Sequence, residues 1–100
     1  MSEESFAVVE NRLATYGEDL FDLLRIPGVS ATGERLVEAA DGLADILADC
    51  GFDVEKIATE GAPLVYGEAG TDPDAPTILF YGHYDVQPAG DPDEWDSPPF

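Results

Sequence analysis

The segment Thr77-Ile78-Leu79-Phe80-Tyr81-Gly82-His83-Tyr84-Asp85-Val86-Gln87-Pro88 opens with five residues that carry no charge and do not alternate in polarity. A short apolar run without alternation, bounded by Pro76 and Gly82, is expected of a strand covered on both faces. If extended backbone continues through Gly82, His83 and Asp85 stand two apart and project to one side, with Tyr84 on the other. An imidazole and a carboxylate would then share the C-terminal end of a central strand, where open α/β sheets place their ligands.

Working upstream, residues 68–76 are rich in Gly, Asp and Pro and read as a solvated loop. Two shorter strands precede it, one over residues 52–57 and one over residues 63–66. Before them the apolar period lengthens to that of helices. Phe6, Val9, Leu13, Tyr16, Leu20 and Leu23 step by three and four along a first amphipathic helix, which Gly17 weakens enough to allow a break. Pro27-Gly28 marks the turn after it. A second helix repeats the stripe at Leu36, Ala40, Leu43, Leu47 and Cys50, with Thr32 as its expected N-cap and Gly51 placed to end it in a left-handed conformation. Two helices followed by strands of a mixed sheet make an α/β arrangement, and residues 1–100 are too few for a second domain.

Downstream, residues 89–100 read as loop, with Pro92, Pro98 and Pro99. The chain is expected to be the N-terminal portion of a larger domain, incomplete here because it stops in that loop. Asp91, Asp93, Glu94 and Asp96 are read as solvated surface, and Trp95 and Phe100 as anchors of the loop rather than walls of a pocket. Tyr81 and Tyr84 are read as packing residues.

The charge balance is unusual: 22 acidic residues against 4 basic ones give a net charge of -18. Apolar residues are too plentiful and periodic for disorder, and the acids are spread along the chain rather than gathered into a tail. A surface adapted to high salt, where dense carboxylates are screened, fits best and implies a halophilic source. Such a surface repels phosphates and anionic lipid, so neither nucleic acid nor membrane is an expected partner. The acidic opening and the lack of a long apolar run point to a cytoplasmic protein. Cys50 stands alone and reads as a small apolar residue at a helix end.

A zinc-bound imidazole needs its other ring nitrogen held by an acceptor, which fixes its tautomer and orientation, and Asp85 is placed to be that acceptor for His83. A His-x-Asp triplet alone also fits a histidine at a strand end beside a turn carboxylate. The ordered set of features is far more specific: Leu24-Arg25-Ile26-Pro27-Gly28-Val29-Ser30 after the first helix, Gly51-Phe52-Asp53-Val54, Gly82-His83-Tyr84-Asp85-Val86-Gln87-Pro88, and Trp95-Asp96-Ser97-Pro98-Pro99-Phe100. In that order they resemble the N-terminal segment of the M20 metallopeptidase family, most closely its dipeptidase branch, with one departure in the Trp95 loop. The resemblance implies a zinc-peptidase-like catalytic domain in which His83 binds one of two zinc ions, with cobalt or manganese as substitutes, and Asp85 orients that imidazole. It further implies a dipeptide or small peptide substrate, a general base and remaining ligands beyond Phe100, and homodimerisation through a domain outside this chain. By itself the chain is expected to be inactive. The alternatives are an N-acyl amino acid deacylase of the same family and a truncated, non-catalytic relative.

Overall fold

In the computed structural model, which describes residues 2–100, Ser2 caps the first helix through a hydroxyl that accepts from the Ser5 amide at 3.2 Å. Glu3 and Glu4 set negative charge against the positive helix end. Helix α1 then runs Glu3–Leu24 unbroken, so Gly17 weakens it without ending it. It stops ahead of Pro27, where the Gly28 amide donates to Ile26 O at 2.8 Å and the Val29 amide to Pro27 O at 2.9 Å. These two consecutive three-residue turns reverse the chain.

Helix α2, Leu36–Asp49, begins later than Thr32 as N-cap would require. The Val29 amide also bonds Glu34 O at 3.0 Å, folding residues 29–34 into a tight loop, and Thr32 serves that loop by accepting from the Glu34 amide at 3.3 Å. The N-cap position falls to Arg35, in the left-handed region at φ 49°, with its guanidinium forked onto the Glu38 carboxylate at 2.6 Å for both bonds. At the other end Gly51 has φ 93°, as anticipated. The Phe52 amide reaches Leu47 O at 3.1 Å and the Gly51 amide reaches Ala48 O at 3.0 Å, the paired bonds of a Schellman ending.

From this turn the chain enters β1, Asp53–Ile57, which pairs antiparallel with β2, Leu64–Glu68, in the register Asp53 to Glu68 through Ile57 to Leu64. The hairpin packs on α2. Two helices followed by strands thus form an α/β partial domain, as the sequence implies.

The buried hydrophobic core is small: Val29, Leu36, Ala39 and Ala40. It lies where the turn after α1 meets α2, and Gly28 is needed there because a Cβ on it would stand 2.8 Å from the Ala39 Cβ. The α1 stripe expected to face a core is largely uncovered, with Phe6, Leu13 and Leu20 each more than half exposed. The hairpin covers α2 instead, and only the C-terminal end of α1 meets another element closely. The radius of gyration of 16.3 Å exceeds the value of about 13 Å for a compact chain of this size.

The largest departure from expectation is residues 77–81. They form no strand, and Ile78, Leu79, Phe80 and Tyr81 are 75 to 95% exposed. A strand covered on both faces needs hydrogen-bonded neighbours and layers above and below. Here β1 and β2 pair only with each other, and neither pairs with this run. Tyr81 is therefore not a packing residue in this structure.

Candidate functional site

Residues 82–88 are tethered from two directions although they belong to no named strand. The Val86 amide donates to Gly28 O at 2.9 Å, closing an isolated parallel bridge between Val86 and Val29. The Tyr84 hydroxyl donates to Pro63 O at 2.5 Å, just ahead of β2. Tyr84 is thus a packing residue with a polar handle that sequence reading did not supply. Burial raises its phenol pKa above the usual 10.0, with the Asp85 charge adding to the effect.

The alternation expected of this stretch is present. With Tyr84 turned toward the hairpin, His83 and Asp85 come together on the other side: His83 Nδ1 lies 3.0 Å from Asp85 Oδ1 and 3.2 Å from the Asp85 carbonyl oxygen. Interaction with Ser30 foremost, and after it with His83, keeps the Asp85 carboxyl below its ordinary pKa, against an opposing effect of burial. An ionised carboxylate only accepts, so the proton in this contact sits on His83 Nδ1 and the lone pair is left on Nε2. The His83 side chain is 76% exposed and that of Asp85 35%. The pair therefore presents an open nitrogen donor with its partner nitrogen committed, the arrangement in which histidine ligates metals.

One imidazole does not make a metal centre. Among the described residues no three His, Cys, Asp or Glu side chains come together, whereas a zinc site takes several protein donors. The carboxylates of residues 91–96 are exposed, and Asp91 caps the short 3-10 helix Pro92–Glu94 by accepting from the Asp93 amide at 2.9 Å. Trp95 donates through Nε1 to Ala89 O at 3.0 Å and so ties down its own loop. Trp95 and Phe100 also line a shallow hollow of about 370 Å³ with Leu24, Val86, Pro88 and Pro99. Cys50 is exposed rather than packed, at the rim of a second apolar hollow between α1 and α2.

Ser30 is the residue that sequence reading missed. It lies in the Ile26-Pro27-Gly28-Val29-Ser30 stretch quoted above, yet no spacing rule connects it to Asp85, because only the Val29–Val86 bridge brings the two segments side by side. No helix is long and apolar enough to cross a membrane among the described residues.

Over 95% of its length the chain is 34% identical to a Cys-Gly metallodipeptidase from Candida albicans, and over 98% it is 31% identical to one from Schizosaccharomyces pombe. Over 58% of its length it is 43% identical to a succinyl-diaminopimelate desuccinylase from Paracoccus denitrificans. The chain spans 23%, 23% and 15% of these three relatives, less than a quarter of each. No family model matches the chain, and no solved structure matches it significantly. The likenesses support a relationship to metal-dependent hydrolases of the M20 kind.

Proposed function

We propose that this chain is part of a metal-dependent hydrolase that cleaves the amide or peptide bond of a dipeptide or small peptide, with His83 as one ligand of a two-zinc centre. The observation that carries the reading is the His83–Asp85 contact at 3.0 Å, which commits Nδ1 and leaves Nε2 open. Similarity to proteins named as Cys-Gly metallodipeptidases along almost the whole chain supports it.

In this reading each part of the segment has a task. Asp85 keeps the proton on Nδ1 and sets the ring plane. The Tyr84 and Val86 tethers hold the backbone on either side of Asp85, so that the imidazole has a fixed origin. Zinc, when bound, supplies a water of lowered pKa and polarises the scissile carbonyl. In this reading the remaining donors and the proton-shuttling base come from beyond Phe100, in keeping with the finding that no three His, Cys, Asp or Glu side chains come together among the described residues.

Similarity to desuccinylases favours a second substrate reading within the same chemistry, an N-acyl amino acid in place of a peptide. The two are separated by assaying the full-length gene product, in concentrated salt, on a panel of dipeptides and N-acyl amino acids. Wild type, chelator-treated wild type and His83→Ala are compared, and bound metal is measured on the same samples. Hydrolysis is expected to vanish with chelator and return with Zn²⁺, and to be absent in the variant. A well-folded full-length protein that neither binds metal nor hydrolyses any member of the panel would refute the reading in favour of a non-catalytic relative.

A further inference from the structure

We infer that Trp95 is a positioning residue for the His83–Asp85 pair: its indole N–H, bonded to Ala89 O, latches the exit of the site segment against the end of α1 and so secures the Val86–Gly28 bond. The local sequence makes the latch. Asp91 accepts from the Asp93 amide at 2.9 Å and, with Pro92 after it, opens the 3-10 helix Pro92–Glu94. The Glu94 amide then donates to Asp91 O at 3.1 Å and the Trp95 amide to Pro92 O at 3.2 Å, which turns the chain back on itself. Trp95 is thereby returned to Ala89, and its Nε1–H donates to Ala89 O at 3.0 Å. Residues 89–95 form a ring closed by a side chain.

That ring closes on the site segment. Ala89 stands three residues after Val86. Val86 and Pro88 share one apolar hollow with Trp95, Phe100 and Leu24, the last residue of α1. Gly28, four residues beyond Leu24, supplies the carbonyl that accepts the Val86 amide at 2.9 Å. Indole and carbonyl thus hold neighbouring parts of the segment against the same end of α1. Neither His83 nor Asp85 lines the hollow, so Trp95 acts on the pair through the backbone at Val86 and not by contact. Few bonds hold this segment and much of it is exposed, so its opening is not rare, and losing one tie registers in the average geometry. The consequence for metal binding rests on the proposed role of His83 as ligand; the control of its geometry does not.

His83 is the one histidine of the sequence, so labelling with ¹⁵N-histidine gives the signals of a single ring. The full chain, free of metal and held above the pH at which the imidazole titrates, is compared as wild type, Trp95→Ala, Trp95→Phe and the control Ser97→Ala. Trp95 stands half-exposed in a loop, so neither of its variants threatens the fold. Two quantities are read by NMR: hydrogen exchange at the Val86 amide and the ratio of Nδ1–H to Nε2–H tautomers of His83. Exchange at Val86 is expected to quicken by about fivefold in Trp95→Phe, the loss of one modest hydrogen bond, and by more in Trp95→Ala, which also empties the hollow. The tautomer ratio should fall in the same order, by about twofold or more in Trp95→Ala. Ser97→Ala should leave both quantities at their wild-type values. A tryptophan that only tied down its own loop would move neither, so unchanged values in Trp95→Ala would overturn the inference. Wild-type values in Trp95→Phe would do the same, because bulk and not the indole N–H would then hold the segment. No metal enters this measurement, so its failure is distinct from failure of the zinc reading.

Discussion

Two glycine-to-alanine substitutions should move stability in opposite directions, and the difference tests whether the turn after α1 governs the site. Gly28 is pressed against α2: an added Cβ would meet the Ala39 Cβ at 2.8 Å, with Arg35 O and Leu36 Cδ2 at 3.8 Å. Carbon atoms rest roughly 3.5 Å or more apart, so the two backbones must separate by roughly 0.7 Å. Ala39 is 1% exposed and its Cβ is fixed to a helix, so no rotamer relieves the contact. Overpacking of this kind costs about 1–3 kcal/mol, offset by about 0.4–1 kcal/mol because alanine restricts the unfolded chain. The net expectation for Gly28→Ala is a destabilisation of about 1–2 kcal/mol. Gly17 sits inside α1 with nothing within 4 Å of its would-be Cβ, so Gly17→Ala should stabilise by about 1 kcal/mol. Urea unfolding followed by circular dichroism reads both: the midpoint falls in one variant and rises in the other at unchanged slope. Gly28 O also accepts the Val86 amide, so hydrogen exchange at Val86 should quicken in Gly28→Ala and not in Gly17→Ala. If Gly28→Ala proved as stable as Gly17→Ala, or left Val86 exchange unchanged, the close approach and its coupling to the site would both be refuted.

Tyr84→Phe removes the donor to Pro63 O and should cost about 1 kcal/mol in the same unfolding experiment. Because the folded state raises the Tyr84 pKa, its contribution is fully present below the usual 10.0 and is lost as pH rises through the higher folded value. A stability drop above pH 10.0 in wild type that persists undiminished in Tyr84→Phe would exclude Tyr84 as its source. The charge of -18 predicts a melting temperature that climbs with NaCl, since the screening length shrinks from about 10 Å at 0.1 M to about 3 Å at 1 M. Equal melting of the full-length protein at low and high salt would remove the case for a halophilic surface.

Features set by local rules were legible in the sequence. The α2 stop at Gly51 needed only a residue tolerant of positive φ, and the side-by-side placement of His83 and Asp85 needed only the two-residue period of extended backbone. Errors arose wherever the outcome depended on a distant partner. Thr32 has the chemistry of an N-cap, yet the Val29–Glu34 bridge absorbed it into the preceding loop. Ser30 carries no pattern of its own, and its segment comes alongside that of Asp85 only because Val29 pairs with Val86. The sequence 77–81 was read as buried because such composition is usually covered; composition states a need for burial without supplying what covers it.

That last discrepancy bears on how the site is held. The apolar run leading into Gly82 makes no ladder, whereas Tyr84 and Val86 immediately beyond it are fixed to Pro63 and Gly28. The geometry of the His83–Asp85 pair therefore does not depend on a strand at 77–81; it depends on the turn after α1 and the start of β2. Covering the run with further sheet would add rigidity to the approach without redrawing the pair. Substitutions at Phe80 should accordingly leave the His83 tautomer ratio of this chain at its wild-type value, while Gly28→Ala, far away in sequence, should lower it. The opposite ranking would place control of the site in the strand rather than in its tethers.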